Sequence, residues 1–363
     1  AGNQNLTAEV TKKLGALTKL YLAPNIRPDL ENENLLPALG SLEEAYRSLR
    51  ARRIRGVADL IAWSEKHLHP TATAFGRIIR FLSKVYDPAK GVLGVDLGAS
   101  ATTIAAAFTG ELTLRVFPQF GIGSRLIDFS DEKPLIEIIR WLPFEVSEEY
   151  VRDVLFNKAA FPASLPVTVE DQEIEAALAR YLLRASVTLA SASFPKGVIR
   201  KQADGLPWCE PIVAAGSVLT KAPSPGHSLL ILLDALQPVG ITTIVLDQNN
   251  LTPALGAAGC INPILVVQVL ESSAFLSLAT VISPISNARP GTPILRLKVT
   301  YESGDETIFE VKQGSLETLP LPLGQSARLR LQPLQRADVG LGGPGRGGSL
   351  RVVGGALGVV IDA

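Results

Sequence analysis

A short apolar segment ending in Asp-x-Gly constrains this chain more than any other feature. A buried strand is predicted to begin at Gly91 and to be followed by Asp96-x-Gly98, and small and hydroxyl residues lead through Thr102 and Thr103 into a second apolar strand. Such a hairpin suits a phosphate and its magnesium ion, because Gly98 lets backbone N–H groups approach phosphate oxygens and Asp96 can orient a metal-bound water. The motif alone is also compatible with an ordinary hairpin turn.

Other common catalytic patterns are missing from the sequence. There is no Gly-Lys-Ser/Thr phosphate loop, no Gly-x-Gly-x-x-Gly opening a helix, and no nucleophile elbow. His67, His69 and His227 do not have the spacing of a metal site, and capping or surface positions are the better interpretation. The sequence therefore favours neither a zinc enzyme nor a serine hydrolase.

Composition limits the classes of partner. Lys+Arg and Asp+Glu both number 35, so no global field draws the chain to nucleic acid or to an anionic membrane. Apolar runs such as 228–235 and 264–270 are too short to span a bilayer. Cys209 and Cys260 have no partner motif, which predicts reduced, structural thiols in a cytoplasmic protein.

The order of helix and strand patterns predicts an α/β layer fold. Helices are expected over 43–55, opened by a capping box at Ser41-Leu-Glu-Glu44, and over 57–67 and 71–86, with breaks at Gly56 and Pro70. After the hairpin and a Gly121-Ile-Gly123 loop, helices return across 131–194, one opened by Ser147 and a long one over 169–193. Further elements are strands 210–215 and 242–246 and helices 229–236, 253–258 and 263–272.

The pattern changes after about residue 275. Residues 294–301 and 307–313 alternate around a Ser303-Gly-Asp305 turn, and strands are also expected over 327–331, 349–353 and 358–361. These segments predict two domains: an α/β unit over 1–274 and a separate β sandwich or small barrel over 275–363.

Several further motifs carry a family resemblance. Taken together with Asp96-Leu-Gly98, the chain resembles the MutL family associated with glutamate mutase, an actin-like ATPase family unrelated to the mismatch-repair protein of that name. The motifs that carry the likeness are Ala1-Gly-Asn-Gln-Asn5, Asn25-Ile-Arg-Pro28, Arg55-Gly56, His69-Pro-Thr-Ala72, Val213-Ala-Ala-Gly-Ser217, Leu233-Asp-Ala-Leu-Gln-Pro238 and Pro253-Ala-Leu-Gly256.

The resemblance implies a fold, ligands and a partner. It implies an actin-like (ribonuclease-H-like) ATPase subdomain followed by a mainly β C-terminal domain, with ATP and magnesium as cofactors. In the family Ala1-Gly-Asn3 lies well inside the protein, so the first actin-like subdomain is expected to lie outside this chain, and weak or undetectable ATP affinity follows for these 363 residues. The implied partner is an adenosylcobalamin-dependent mutase whose damaged cofactor must be exchanged, with the β domain as a docking surface.

The resemblance also implies a set of site residues. Asp96 is expected to hold magnesium through water, and Gly216 to bring the backbone close to the adenosine, although a structural strand-to-loop glycine is the alternative. The Gly121–Gly123 loop either abuts the phosphates or is a turn. The predicted cofactor-binding residues are Asp96, Gly98, Ser100, Thr102, Thr103, Gly121, Gly123, Gly216 and Ser217.

One departure from the family pattern leaves the reaction open. The family has Asp-x-Gly-Gly-Ala-Thr-Thr-Asp, whereas this chain has one inserted residue and Ile104 in place of the final Asp. Loss of that carboxylate removes a contact to metal-bound or catalytic water. An ATP-dependent reactivating factor, a small-molecule kinase of the same superfamily and an inactive scaffold all remain as hypotheses.

Overall fold

The computed structural model describes residues 4–29, 36–64, 68–123, 132–195, 198 and 205–363. The chain divides into two compact units, residues 1–70 and 71–363. The α-helices of the described residues are α1 (Thr7–Leu14), α2 (Leu36–Arg53), α3 (Val57–Trp63), α4 (Thr71–Val85), α5 (Glu132–Ile139), α6 (Glu148–Ala160), α7 (Val169–Ser191), α8 (Ser217–Thr220), α9 (Pro225–Leu236), α10 (Leu251–Ala258) and α11 (Pro263–Leu270).

The described strands follow the hairpin prediction closely. They are β1 (Gly91–Leu97), β2 (Thr102–Phe108), β3 (Glu111–Phe117), β4 (Cys209–Ala215), β5 (Gly240–Leu246), β6 (Leu276–Ser283), β7 (Pro293–Tyr301), β8 (Glu306–Lys312), β9 (Leu316–Leu319), β10 (Ser326–Pro333), β11 (Gly348–Val353) and β12 (Val359–Asp362).

The first unit contains α1, α2 and α3 among its described residues. The predicted break at Gly56 is confirmed, because Gly56 has a φ of +85° immediately before α3. The predicted capping box at Ser41 is wrong: α2 already begins at Leu36, and the Ser41 hydroxyl donates to the Leu22 carbonyl at 2.8 Å. Pro37 in the first turn is compatible with this earlier start, because a proline there removes no helical hydrogen bond.

A large mixed sheet organises the second unit. Among the described residues its strand order is β3-β2-β1-β4-β5-β6-β12-β9, with β1, β4 and β5 parallel to one another. One face of β1 and β2, which includes Leu93 and Ile104, packs against apolar residues of α5, α6, α7 and α9. The other face, which includes Val92 and Ala105, is covered by apolar residues of α4, α10 and α11.

Two glycines bring α4 and α10 close to the sheet and to each other. A Cβ on Gly94 of β1 would lie 2.6 Å from Ile79 and 2.7 Å from Phe75 of α4. A Cβ on Gly256 of α10 would lie 1.8 Å from the carbonyl oxygen of Ala74. Gly94 therefore leaves room for the α4 side chains against β1, and Gly256 lets the α10 backbone approach the α4 backbone.

The predicted C-terminal strands divide between two sheets. In the described residues, β11, β10, β7 and β8 form a second, antiparallel sheet in that order, whereas β6, β9 and β12 join the large sheet. Buried residues of both sheets, among them Ile282, Leu297 and Leu329, form one apolar core. The large sheet thus continues past residue 274, and the division into domains at that position stays a prediction.

The predicted helix starts at Ser147 and before residue 169 are confirmed. Ser147 accepts from the N–H of Tyr150, and Thr168 and Asp171 form a capping box for α7. Within the described ranges, no helix combines the length and the apolar character needed to cross a bilayer.

Candidate functional site

The carboxyl ends of β1, β4 and β5 meet at one edge of the large sheet. Parallel strands end at the same edge, and in open α/β sheets ligands bind outside the carboxyl ends of such strands. Here the three strands run into Gly98, Gly216 and Asp247 respectively. We call this edge, with the β1–β2 hairpin tip, the carboxyl edge.

Asp96 of β1 is a carboxylate of the carboxyl edge that has no partner among the residues the structure describes. It pairs in register with Thr103 of β2 and Ala215 of β4, so the three side chains share the sheet face that α4 and α10 cover. Within the described part of the chain its carboxylate has no hydrogen bond or ion pair. Burial raises the pKa of Asp96, and the nearby Asp247 charge raises it further. A partly buried carboxyl group with a shifted pKa indicates a candidate functional residue.

Asp247 was missed by the sequence reasoning, and its role is structural. Its side chain is fully buried, and its two carboxylate oxygens accept from the N–H groups of Leu251 at 2.8 Å and Thr252 at 2.7 Å. Its own N–H donates to Ala214 of β4 at 2.8 Å. Asp247 therefore caps α10 and holds that helix against β4. An aspartate between a buried strand and a helix four residues later was the available signal.

The hairpin tip and the loop after β3 form one packed element. A Cβ on Gly121 would lie 2.5 Å from the carbonyl oxygen of Ala99, and a Cβ on Gly123 would lie 2.8 Å from the same atom. The N–H of Ile122 donates to the carbonyl of Gly98 at 3.0 Å. The structure thus brings Gly121 and Gly123 to the Asp-x-Gly motif, where their missing side chains admit the hairpin backbone.

Several predicted phosphate donors are used within the protein. The Gly98 N–H donates to the Ala101 carbonyl at 3.0 Å, and the buried Thr102 hydroxyl donates to the Phe120 carbonyl at 2.5 Å. The N–H groups of Ala99 and Ser100, at the exposed tip, donate to no backbone oxygen among the described residues. Among the described residues, Ala99 and Ser100 therefore offer backbone donors at the exposed tip of the hairpin.

Gly216 lies against the end of β1. Its φ is +112°, and a Cβ there would lie 2.3 Å from the carbonyl oxygen of Leu97. The β1 backbone thus occupies the space that the missing side chain leaves, which agrees with the alternative of a strand-to-loop glycine. The contact also brings the β4–α8 turn directly to the Asp96 motif.

Ser217, the first residue of α8, lines a neighbouring cavity. This cavity has a volume of about 230 Å³ and combines an apolar wall with a polar rim. The other lining residues are Lys158, Pro162, Ala163, Ser164, Leu165, Pro166, Gln172, Glu173, Glu175, Ala176, Val218, Lys221, Ala222, Pro223, His227 and Ile231. We call it the Ser217 cavity.

An ion pair is built into the wall of the Ser217 cavity. Lys158 of α6 and Glu175 of α7 lie 2.6 Å apart with side chains that are only 12% and 14% exposed. Lys158 also donates to the Ser164 carbonyl at 2.7 Å. Lys158 and Glu175 therefore neutralise each other and leave the rim residues Gln172 and Lys221 to face a ligand.

The side chains at the carboxyl edge could bind a magnesium ion only if water molecules supplied most of its ligands. In the part of the chain that the structure describes, no group of three or more His, Cys, Asp or Glu could hold a metal ion. Asp247 is occupied by two backbone N–H groups, so Asp96 is the carboxylate that remains. Mg²⁺ keeps several waters and is commonly bound by one or two carboxylates together with substrate phosphates, so Asp96 fits an ion brought by a phosphate ligand.

The histidines and cysteines show no catalytic arrangement where they are described. His67 lies outside the described residues, and His227 Nδ1 lies 2.8 Å from the Ser224 hydroxyl in the first turn of α9. Cys209 is buried, which raises its pKa to about 12, and Cys260 is exposed with its sulfur 2.9 Å from an Arg77 nitrogen. Both thiols are free of disulfides.

Comparison with known protein families tests the resemblance to the MutL family. A family model described as MutL protein matches residues 1–274. The chain belongs to the MutL family. This is the family associated with glutamate mutase, as the sequence motifs predicted. No curated protein matches the chain.

Proposed function

We propose that this MutL family member binds a magnesium nucleotide at the carboxyl edge and acts on a glutamate mutase-type, adenosylcobalamin-dependent enzyme. The family match supports the association with glutamate mutase. The observation that supports nucleotide binding is Asp96, a partly buried carboxylate at the meeting point of three parallel strands, for which the described part of the chain supplies no partner. An actin-like arrangement of this sheet remains part of the proposal.

The residues at the carboxyl edge divide the tasks of binding a triphosphate. The N–H groups of Ala99 and Ser100 would donate to phosphate oxygens, and Asp96 would orient water on the magnesium ion. The ion, when bound, would offset phosphate charge. Thr103 lies opposite Asp96 in the β1–β2 register, on the same face of the sheet.

The Ser217 cavity is the proposed place for the nucleoside. Its volume of about 230 Å³ lies below the roughly 300–1,000 Å³ of sites for whole drug-sized ligands, which suits a base and part of a sugar. Its apolar wall would hold the ring faces, and the Gln172 amide on its rim could satisfy ring nitrogens. Gly216, which precedes the lining residue Ser217, lies against Leu97 at the end of β1.

Ile104 supports a second candidate function, that of a scaffold that binds the nucleotide but hydrolyses it slowly. The side chain is fully buried and faces the core opposite to the face that holds Asp96 and Thr103. The family carboxylate therefore has no equivalent beside Asp96 on β2. A nucleotide-dependent scaffold would bind the mutase and show little turnover, and a kinase would need a catalytic base in addition to Asp96, whose proposed role is to orient water on the magnesium ion.

A release assay separates these candidates. Glutamate mutase loaded with an inactivated cobalamin is incubated with the protein, with and without magnesium and ATP. A reactivating factor releases the cobalamin only with ATP, a scaffold binds the mutase without release, and a kinase phosphorylates a metabolite without needing the mutase. Release that is equal in Asp96→Asn and the parent protein would contradict the role given to the carboxyl edge, and Asp305→Asn, in an exposed turn of the second sheet, is the matched control.

A further inference from the structure

The outward face of the second sheet carries a group of cations. Buried leucines and valines of β7, β10 and β11 point to the core, so the alternate positions point to solvent. The outward cations are Arg296 and Lys298 of β7, Arg328 and Arg330 of β10, and Arg351 of β11. We call these five residues the basic face.

Like charges lie directly opposite each other across this face. Arg330 pairs in register with Lys298, and Arg328 pairs in register with Arg351. Like charges at directly opposite positions destabilise an antiparallel pair. The stability of the sheet therefore does not explain why these cations stand together.

The three outer cations have carboxylate partners, whereas the two central ones have none among the described residues. The ion pairs are Arg296–Glu310 at 2.5 Å, Lys298–Glu306 at 2.7 Å and Arg351–Glu302 at 3.5 Å. Arg328 and Arg330 are exposed, and no ion pair or hydrogen bond of their guanidinium groups is found in the described ranges. The centre of the face thus holds two guanidinium groups that no described carboxylate neutralises.

We propose that the basic face binds a carboxylate-rich segment of a partner protein, with Arg328 and Arg330 as its principal contacts. Guanidinium groups bind carboxylates through two parallel hydrogen bonds. Positions two apart on a strand are separated by about 7 Å. An extended segment with acidic residues at every second position presents carboxylates at the same spacing.

The surroundings favour a protein segment over a nucleic acid. The outward positions of the four described strands hold no aromatic side chain on which a base could stack. Glu306 and Glu310 line the β8 side of the face and would repel a continuous phosphate backbone. The same two carboxylates would attract basic residues that flank an acidic segment, so the charge pattern is complementary to a protein surface with an acidic centre.

This proposal is independent of nucleotide binding, and a labelled peptide tests it. The probe is an alternating Glu-Thr peptide of about eight residues, with a Gln-Thr peptide as its uncharged match, measured by fluorescence anisotropy at low ionic strength. We expect the Glu peptide to bind, to weaken as salt is added, and to lose at least about tenfold in affinity in the Arg328→Glu, Arg330→Glu double variant. The Arg53→Glu, Arg184→Glu double variant has the same change in net charge at exposed helical positions and should bind as the parent does.

The double variant also carries its own folding control. Arg330→Glu places a carboxylate opposite Lys298, so the melting temperature should be unchanged or higher while binding is lost. Equal losses in the two double variants, equal binding of the Gln peptide, no binding of the Glu peptide, or tighter binding of a short DNA duplex would each overturn the proposal. Self-association that only the face variant abolishes would also overturn it, because the occupant would then be a second copy of the chain.

Discussion

Asp96 and Asp247 lie at the carboxyl ends of two parallel strands, and their carboxylates differ in whether hydrogen bonds satisfy them. Asp247 is fully buried and accepts two backbone N–H groups of α10, whereas Asp96 has no partner in the described residues and its pKa is raised by burial and by the Asp247 charge. The fold thus satisfies one carboxylate and leaves the other dependent on solvent or a ligand. This asymmetry is the basis of the proposed site.

The first prediction concerns the stability cost of Asp96. Because its folded pKa is raised above the ordinary value of 3.8, ionisation costs stability, and this cost grows as pH rises from the ordinary pKa to the folded pKa. Asp96→Asn should therefore melt higher than the parent at pH 7, and the difference should disappear below the ordinary pKa, where both forms are neutral. Thermal melts at a series of pH values measure this, and a lower melting temperature of Asp96→Asn at pH 7 would contradict it.

Asp247→Asn tests the capping role of the second carboxylate. The amide offers one acceptor and turns an NH₂ group toward a backbone donor, so we expect a loss of about 1–3 kcal/mol in the free energy of unfolding. The pKa of Asp96 should also fall, because one cause of its rise is removed. Urea unfolding gives the first quantity and NMR titration the second; an unchanged midpoint together with an unchanged Asp96 pKa would exclude this arrangement.

Gly216→Ala separates close contact from backbone conformation. Gly216 and Gly304 both have positive φ, but a Cβ at 216 would lie 2.3 Å from the Leu97 carbonyl, whereas a Cβ at 304 has nothing within 4 Å. Gly304→Ala should cost about 1 kcal/mol from its φ alone, and Gly216→Ala should cost more, by about 1–3 kcal/mol, because the β1 backbone must move. Equal losses in denaturant unfolding would show that the contact with β1 does not restrict this position.

Ile104→Asp tests whether restoring the family carboxylate restores chemistry. The Ile104 side chain is fully buried in the core. An unpaired carboxylate there should therefore reduce the free energy of unfolding by several kcal/mol, as expected for a buried unpaired charge. The matched control is Ile308→Asp, at a strand position that is 63% exposed, which should change the melting temperature little. A folded Ile104→Asp protein with the parent melting temperature and faster ATP turnover would show that the carboxylate reaches the site.

Local patterns were predictable from the sequence because they depend on neighbouring residues. The hairpin of β1 and β2, the start of α6 after Ser147 and the turn at Gly304 follow from periodicity, capping and turn chemistry. The capping box at Ser41 failed because the same residue types also occur inside helices, and here the Ser41 hydroxyl bonds a distant carbonyl at Leu22. A short motif cannot distinguish these two uses.

Long-range pairing could not be read from the sequence. The switch to β patterns after residue 275 did not indicate that β6 pairs with β5 and that β12 pairs with β6 in the large sheet. Asp247 gains its importance only when α10 folds onto β4, and Gly216 is explained only by its contact with Leu97. These relationships arise from tertiary packing, which periodicity does not encode.

Paramagnetic NMR with Mn²⁺ and ATP is the most direct test of the carboxyl edge. Manganese replaces magnesium and broadens the amide signals of nearby residues, even when binding is weak. The account predicts that Mn²⁺ with ATP broadens the amides of Ala99, Ser100 and Gly216, that Mn²⁺ alone does so much less, and that Asp96→Asn removes the effect while Asp305→Asn does not. Broadening at another surface, or at the same amides in Asp96→Asn, would contradict a nucleotide site at Asp96.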